Sequence, residues 1–363
     1  MLALLVVLGG LPARHVSRRT TPALAALGQL GGWAPDGGRA VMTTSTAPNL
    51  ATLATGTTPN RHGLAAGHVA RHGALRTAGD VGPDVPSLFA ACIAAGRRTR
   101  VVLGDPRLAG VLGVGADALC ELDGDPRPPA GQRRGAVATD DAIVTDDAVV
   151  ATVAHRFDDP ADLTVALLGL PDAAAAQHGP DSSAALDAYR ATDDRLATLR
   201  DHLDRRWREL VIMVVSDHDQ EPVDPRFPPV DIARAAADRD LGLQVATEGG
   251  AALVAGADPT QGRWLAELAG VAGSLELGPA VRIAWARPGR VFDDQGHPLP
   301  GSVHGGPGAT TQVAVVSGGH PAVARMAAAV ARRSPNGADW AVTLAQLLGV
   351  ALPTATGRSL LSA

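Results

Sequence analysis

A chain of 363 residues is long enough for one large α/β domain with an insertion, or for two domains of about 150 residues. Hydrophobic residues make up 46% but aromatics only 3%, so the core must be built mainly from Ala, Val and Leu, and the stacking platforms of a single-strand nucleic-acid binder are lacking. A net charge of −5, a pI near 6.1 and basic residues that are all Arg and unclustered exclude a general polyanion-binding surface.

In chain order, LALLVVL (2–8) is a continuous apolar run of the kind buried in a parallel sheet. No basic residue precedes it and no small-x-small cleavage site follows, so it reads as a strand rather than a secretory segment. Thr21-Pro22 opens a helix to about Gly28. Next comes TTSTAPNLATLATGTTPNRHG (43–63), in which Pro48 stands where a first helical turn tolerates a missing N–H, and Gly56 followed by Pro59 stops the helix within about two turns. Thr46 is thus at or beside an N-cap. There the free N–H groups and positive end of the helix would favour an anion, although the plainer reading is a capping threonine.

VPSLFAACIAAG (85–96) predicts a helix and RTRVVLG (98–104) a strand, while the Pro/Gly/Arg-rich 123–135 reads as loop. Thr139 to Phe157 predicts a helix, ADLTVALLGL (161–170) a strand that ends in a loop, PDAAAAQHGP (171–180), Ser182 to Leu203 a long amphipathic helix, and ELVIMVVSD (209–217) another central strand. This alternation predicts an α/β fold, a mostly parallel sheet with helices on both faces. GAALVAG (250–256) and PTQGRWLAELAG (259–270) give strand and helix signals of their own, and mark 220–299 as a small inserted cap on a core formed by 1–219 and 300–363. Two cysteines, Cys92 and Cys120, are too few for a disulfide framework or, alone, for a zinc site, so a reduced, cytoplasmic setting is expected. No uninterrupted apolar stretch of about 18 residues suggests a membrane span.

TAPNLATLATGTTPNRHG resembles the segment of the nucleotide pyrophosphatase/phosphodiesterase branch of the alkaline phosphatase superfamily that reads TFPN-x-x-x-L-x-TG-x-x-P-x-x-HG. The match is ungapped from Thr46 to Gly63, and Thr46 falls on the family's nucleophile. PDAAAAQHGP resembles its PD-x-x-GH-x-x-GP, with Asp172 on a ligand position and Ala176 where the ligand His would be. SDHD (216–219) resembles SDHG, so Asp217 and His218 match ligands. SVHGG (302–306) resembles the late HG motif, with His304 as ligand, and LPTATGRSLL (352–361) is similar to the superfamily's closing phrase. At the end of the first strand, where the family has an Asp ligand in a DG pair, this chain has Gly9-Gly10.

The resemblance implies an alkaline-phosphatase-like, three-layer αβα sandwich and a small-molecule phosphate ester or nucleotide as substrate. It also implies two metal ions about 4 Å apart, zinc suiting the ligands with other divalent metals left open, that activate the threonine hydroxyl for in-line attack, through a phospho-threonine that water then breaks. One ion would use Asp172, position 176 and His304, and the other position 9, Thr46, Asp217 and His218. Gly9 and Ala176 therefore remove one ligand from each, which implies single or weak occupancy, since a catalytic zinc keeps about three protein ligands. Asp219 and His178 are the nearest candidates to compensate, with a solvated role the simpler expectation for each. An Asn that helps hold the phosphate in the family follows its HG pair; here that place falls on His68 or Gly67. Two readings stay open: a metal-dependent phosphoric ester hydrolase acting on diesters or nucleotide pyrophosphates, and a catalytically degenerate binding or scaffold protein of the same fold.

Overall fold

The computed structural model describes residues 1–114, 119–120, 145–256, 263–293 and 296–362. Its centre is a seven-stranded sheet containing β1 (Leu2–Leu8), β2 (Gly32–Trp33), β3 (Thr99–Leu103), β4 (Leu119–Cys120), β5 (Leu163–Leu168) and β6 (Leu210–Ser216). After a second, smaller sheet made of β7 (Gln244–Glu248), β8 (Ala251–Ala255), β9 (Val271–Gly278) and β10 (Val281–Ala286), the chain returns to the centre as β11 (Ala314–Ser317). The central order is β2-β11-β6-β1-β5-β3-β4. Strands β6, β1, β5, β3 and β4 run parallel, Leu5 of β1 pairing with Val165 on one side and Met213 on the other. The last strand of the sheet, β11, runs antiparallel to β6 and β2.

β1 shows why a continuous apolar run belongs here. Its side chains alternate across the sheet, so Ala3, Leu5 and Val7 enter one core and Leu2, Leu4, Val6 and Leu8 the other. On the first face pack α2 (Thr46–Thr55), α3 (Leu88–Ala94), α7 (Ala322–Arg332) and α8 (Gly337–Leu348). On the second pack α1 (Pro22–Leu30), α4 (Asp146–Arg156), α5 (Leu170–His178) and α6 (Ser183–Leu203). The result is the expected three-layer sandwich. Because β1, β5 and β6 are parallel neighbours, their carboxyl ends open on one edge, where ligands of such sheets bind.

One local expectation needs correction. Residues 170–178 form the helix α5 rather than a loop: four consecutive alanines favour helix, Pro171 sits in the first turn, and the Asp146 carboxylate accepts from Gly169 N (2.9 Å) and Leu170 N (3.0 Å). The 123–135 connection and residues 139–144 of the expected helix fall outside the described residues.

The second sheet is antiparallel, in the order β7-β8-β10-β9, over its own apolar cluster of Val254, Trp264, Leu265 and Phe292 among others. Its β7–β8 turn docks on the central domain: Gly250 N donates to the His304 carbonyl (2.7 Å) and Ala66 packs with Ala251 and Leu253. Among the described residues no helix is long and apolar enough to cross a membrane.

Candidate active site

Each strand end named above delivers a polar group to one place. Thr46 is the first residue of α2, after Ser45, whose extended backbone makes it the N-cap. Asn49 fixes the approach: its side-chain oxygen accepts from Val41 N (2.8 Å) and its amide donates to the carbonyls of Thr43 (3.2 Å) and Ser45 (2.9 Å). Behind the helix, the buried His62 accepts from Leu64 N at Nδ1 (3.2 Å), which leaves Nε2 to donate to Thr52 Oγ1 (3.1 Å). Burial holds this imidazole at a pKa of about 4, so it is neutral. Much of the motif that marks this segment in the sequence is therefore scaffold for Thr46. Gly56 ends the helix in the left-handed region (φ 68°), as the sequence predicts.

At the end of β6, Asp217 Oδ1 accepts from Gly10 N (2.9 Å) and from His218 N (2.9 Å), and both residues are fully buried. His218 Nδ1 faces the Asp219 carbonyl (2.9 Å), so in the neutral ring Nδ1 carries the proton and Nε2 presents its lone pair to Thr46 Oγ1, 3.2 Å away. Burial depresses the His218 pKa, but the negative charges of Asp217 and Asp172 overcome this and leave it raised. His304 stacks beside it, ring centres 4.2 Å apart, and is depressed by burial and by the charge of His218.

Asp172, His218 and His304 place one ligand atom each within 4.8 Å of one another. Two further atoms are buried without a hydrogen-bond partner: His304 Nδ1, and Asp217 Oδ2, which lies 3.3 Å from His218 Nε2 in a geometry that makes no hydrogen bond. Unsatisfied acceptors around a Asp-His-His group suit one divalent cation. A second ion does not fit as well. Position 9 has no side chain, and Ala176, one turn after Asp172, offers only a methyl.

The other sequence candidates sit elsewhere. Asp219 is buried rather than solvated, at 7% exposure, and is taken by Arg14 at 2.9 and 3.1 Å. Burial raises its pKa and Arg14 opposes the rise. His178 is exposed in the last turn of α5 and does not join the ligand group. His68 begins the hairpin strand His68–Arg71, pairs with Thr77, and is likewise outside the group.

Several residues with no readable signal hold the site. Gln220, next to SDHD, donates its amide to Asp172 Oδ1, and its own oxygen lies 2.9 Å from Ser302 Oγ. Thr44 Oγ1 donates to the Gly306 carbonyl (2.7 Å) and accepts from Gly305 N (2.9 Å), joining the nucleophile segment to the His304 loop. Gln312 Nε2 donates to the Asp217 carbonyl (2.9 Å).

With this geometry in view, residues 3–76 and 118–269 match the family model of type I phosphodiesterase/nucleotide pyrophosphatase, more than half of the chain. The chain belongs to that family. It is thereby a member of the alkaline phosphatase superfamily and of a class of phosphoric ester hydrolases. No curated protein matches it. Among solved structures it is similar to an inactive form of murine ectonucleotide pyrophosphatase/phosphodiesterase 5 in complex with AMP, at 14% identity over 98% of this chain and 97% of that one, TM-score 0.75. The human counterpart gives 15% identity over 99% and 97%, TM-score 0.74. Phosphonoacetate hydrolase from Sinorhizobium meliloti 1021, in complex with phosphonoformate, gives 19% over 87% and 89%, TM-score 0.68. These likenesses establish the alkaline-phosphatase-like fold over nearly the whole length of this family member.

Proposed function

We propose that the protein cleaves phosphodiesters or nucleotide pyrophosphates with Thr46 as the nucleophile, at a centre built for one divalent ion, zinc being the best match to its ligands. The observation that carries this reading is the 3.2 Å approach of Thr46 Oγ1 to His218 Nε2 beside the Asp172–His218–His304 group. Asp172, His218 and His304 would hold the ion, with Asp217 Oδ2 the nearest further donor. When bound, it would act as a Lewis acid on the phosphoryl oxygens and lower the hydroxyl pKa.

The chain's own groups supply the rest. The N-terminus of α2 sets Thr46 where its free amides face a developing anion. The backbone carbonyl of Asp219 keeps His218 Nδ1 protonated, so the one lone pair of the ring, on Nε2, is the atom that would meet the ion, 3.2 Å from Thr46 Oγ1. Asp217, braced by Gly10 N, holds its charge beside that ring, Oδ2 lying 3.3 Å from Nε2.

A second reading, a binding protein without turnover, draws on the missing side chains at Gly9 and Ala176 and on the claim that Gln220 makes on Asp172 Oδ1. Hydrolysis of bis-p-nitrophenyl phosphate separates the two. Zinc-equilibrated protein is expected to turn it over, and Thr46→Ala to lose about three orders of magnitude or more in kcat/KM. Equal activity in wild type and variant removes Thr46 from the mechanism, and absence of turnover in both favours the binding reading.

A further inference from the structure

The second sheet brings a carboxylate to the centre that the reaction outlined above does not use. Glu248 is the last residue of β7, and the turn after it is fixed on both sides: Gly250 N donates to the His304 carbonyl (2.7 Å), and the Gly249 carbonyl accepts from Phe292 N (2.8 Å). Glu248 Oε2 accepts from Gly67 N at 2.9 Å. Both carboxylate oxygens lie 3.1–3.3 Å from where a Cβ on residue 67 would stand. A side chain at 67 would require Glu248 to give by a few tenths of an ångström, so the carboxylate sits close against the glycine. It lies against the loop that follows His62-Gly63, whose Gly67 amide is donated to the carboxylate.

Glu248 is half-buried, and among the described residues it has no arginine partner and one hydrogen-bond partner, the Gly67 amide. Two residues before Gly67, the Ala65 carbonyl accepts from Thr43 Oγ1 (2.5 Å), so the carboxylate is tied on one side to the nucleophile segment and on the other, through its turn, to the His304 loop. A carboxylate accepts hydrogen bonds and cannot donate them. Beside a phosphoryl group it therefore opposes additional negative charge and favours a cation.

We propose that Glu248 is a specificity-determining residue that selects phosphoric esters carrying an ammonium or amine substituent and disfavours a further anionic phosphate on the side bounded by Gly67. This rests on the reading of the Thr46 centre as a phosphate ester site. Ethyl phosphate and phosphocholine share a phosphate monoester and differ in the trimethylammonium group, so their dissociation constants isolate the effect of the cation.

Calorimetry on zinc-equilibrated wild type is expected to show phosphocholine binding about tenfold tighter than ethyl phosphate, the advantage shrinking to about twofold or less in Glu248→Gln, which keeps the side-chain length and the acceptor for Gly67 N. A ratio near one in wild type, an unchanged ratio in the variant, or no binding of either ligand overturns the proposal. So does a zinc affinity that falls more than about tenfold in Glu248→Gln, because the carboxylate would then serve the ion. A charge-dependent ratio in a protein without turnover would leave Glu248 its role and remove the hydrolase reading alone. Turnover that depends on Thr46 with an unchanged ratio would do the reverse.

Discussion

His62 lies behind the nucleophile helix with no exposed surface, and its two ring nitrogens are committed, one to Leu64 N and the other to Thr52 Oγ1. Its pKa is about 4 in the folded protein against an ordinary 6.5, because burial disfavours the charged ring. The unfolded chain therefore takes up a proton first as pH falls. The stability due to neutral His62 is complete above about pH 6.5, declines between 6.5 and 4, and changes no further below that. At about 1.4 kcal/mol for each unit of pKa, the full loss is roughly 3 kcal/mol, most of it incurred by pH 4.5. His62→Asn keeps an acceptor for Leu64 N but cannot titrate; it should cost about 1–2 kcal/mol at pH 7.5 through lost packing and the Thr52 bond. Urea unfolding at pH 7.5 and 4.5 should show wild type losing about 2–3 kcal/mol more over that interval than the variant. Parallel losses would refute the claim that His62 is a buried neutral strut.

Restoring Gly9→Asp together with Ala176→His should raise zinc affinity and hydrolysis together. A Cβ at position 9 would stand 3.5 Å from Asp172 Cβ and 3.3 Å from the Leu168 carbonyl, so the new carboxylate enters the site at a metal-free stability cost of about 1–3 kcal/mol. No rise in either quantity would show that the site has diverged by more than these two ligands. Asp146→Asn should destabilise the protein by about 1–2 kcal/mol and weaken zinc binding, because one of the two amides that start the Asp172 helix would meet a donor instead of an acceptor. Unchanged zinc affinity would mean that Asp172 is positioned by other contacts.

The layered fold was legible because each buried strand is a continuous apolar run and each helix has its own start and stop signals, Ser182 before α6 and Gly56 after α2 among them. The convergence of Thr46, Asp172, Asp217, His218 and His304 was readable through motif resemblance, since parallel strands place their ends on one edge. Residues 171–180 misled because Pro-Asp at one end and Gly-Pro at the other are loop punctuation, while the contact that starts the helix comes from Asp146, more than twenty residues earlier in the chain. Asp219 looked like a solvated or compensating carboxylate because nothing in local sequence shows Arg14 reaching it from the short 3-10 turn Ala13–His15. Gln220, Thr44 and Glu248 are single polar residues without characteristic spacing; only the tertiary structure sets them against Asp172, the His304 loop and Gly67.

The metal content of zinc-equilibrated, gel-filtered protein tests the ligand count most directly, because it needs neither a substrate nor turnover. One tightly held ion per chain or fewer is predicted, since Asp172, His218 and His304 form a single ligand group among the described residues. Two tightly held zinc ions per chain would contradict it.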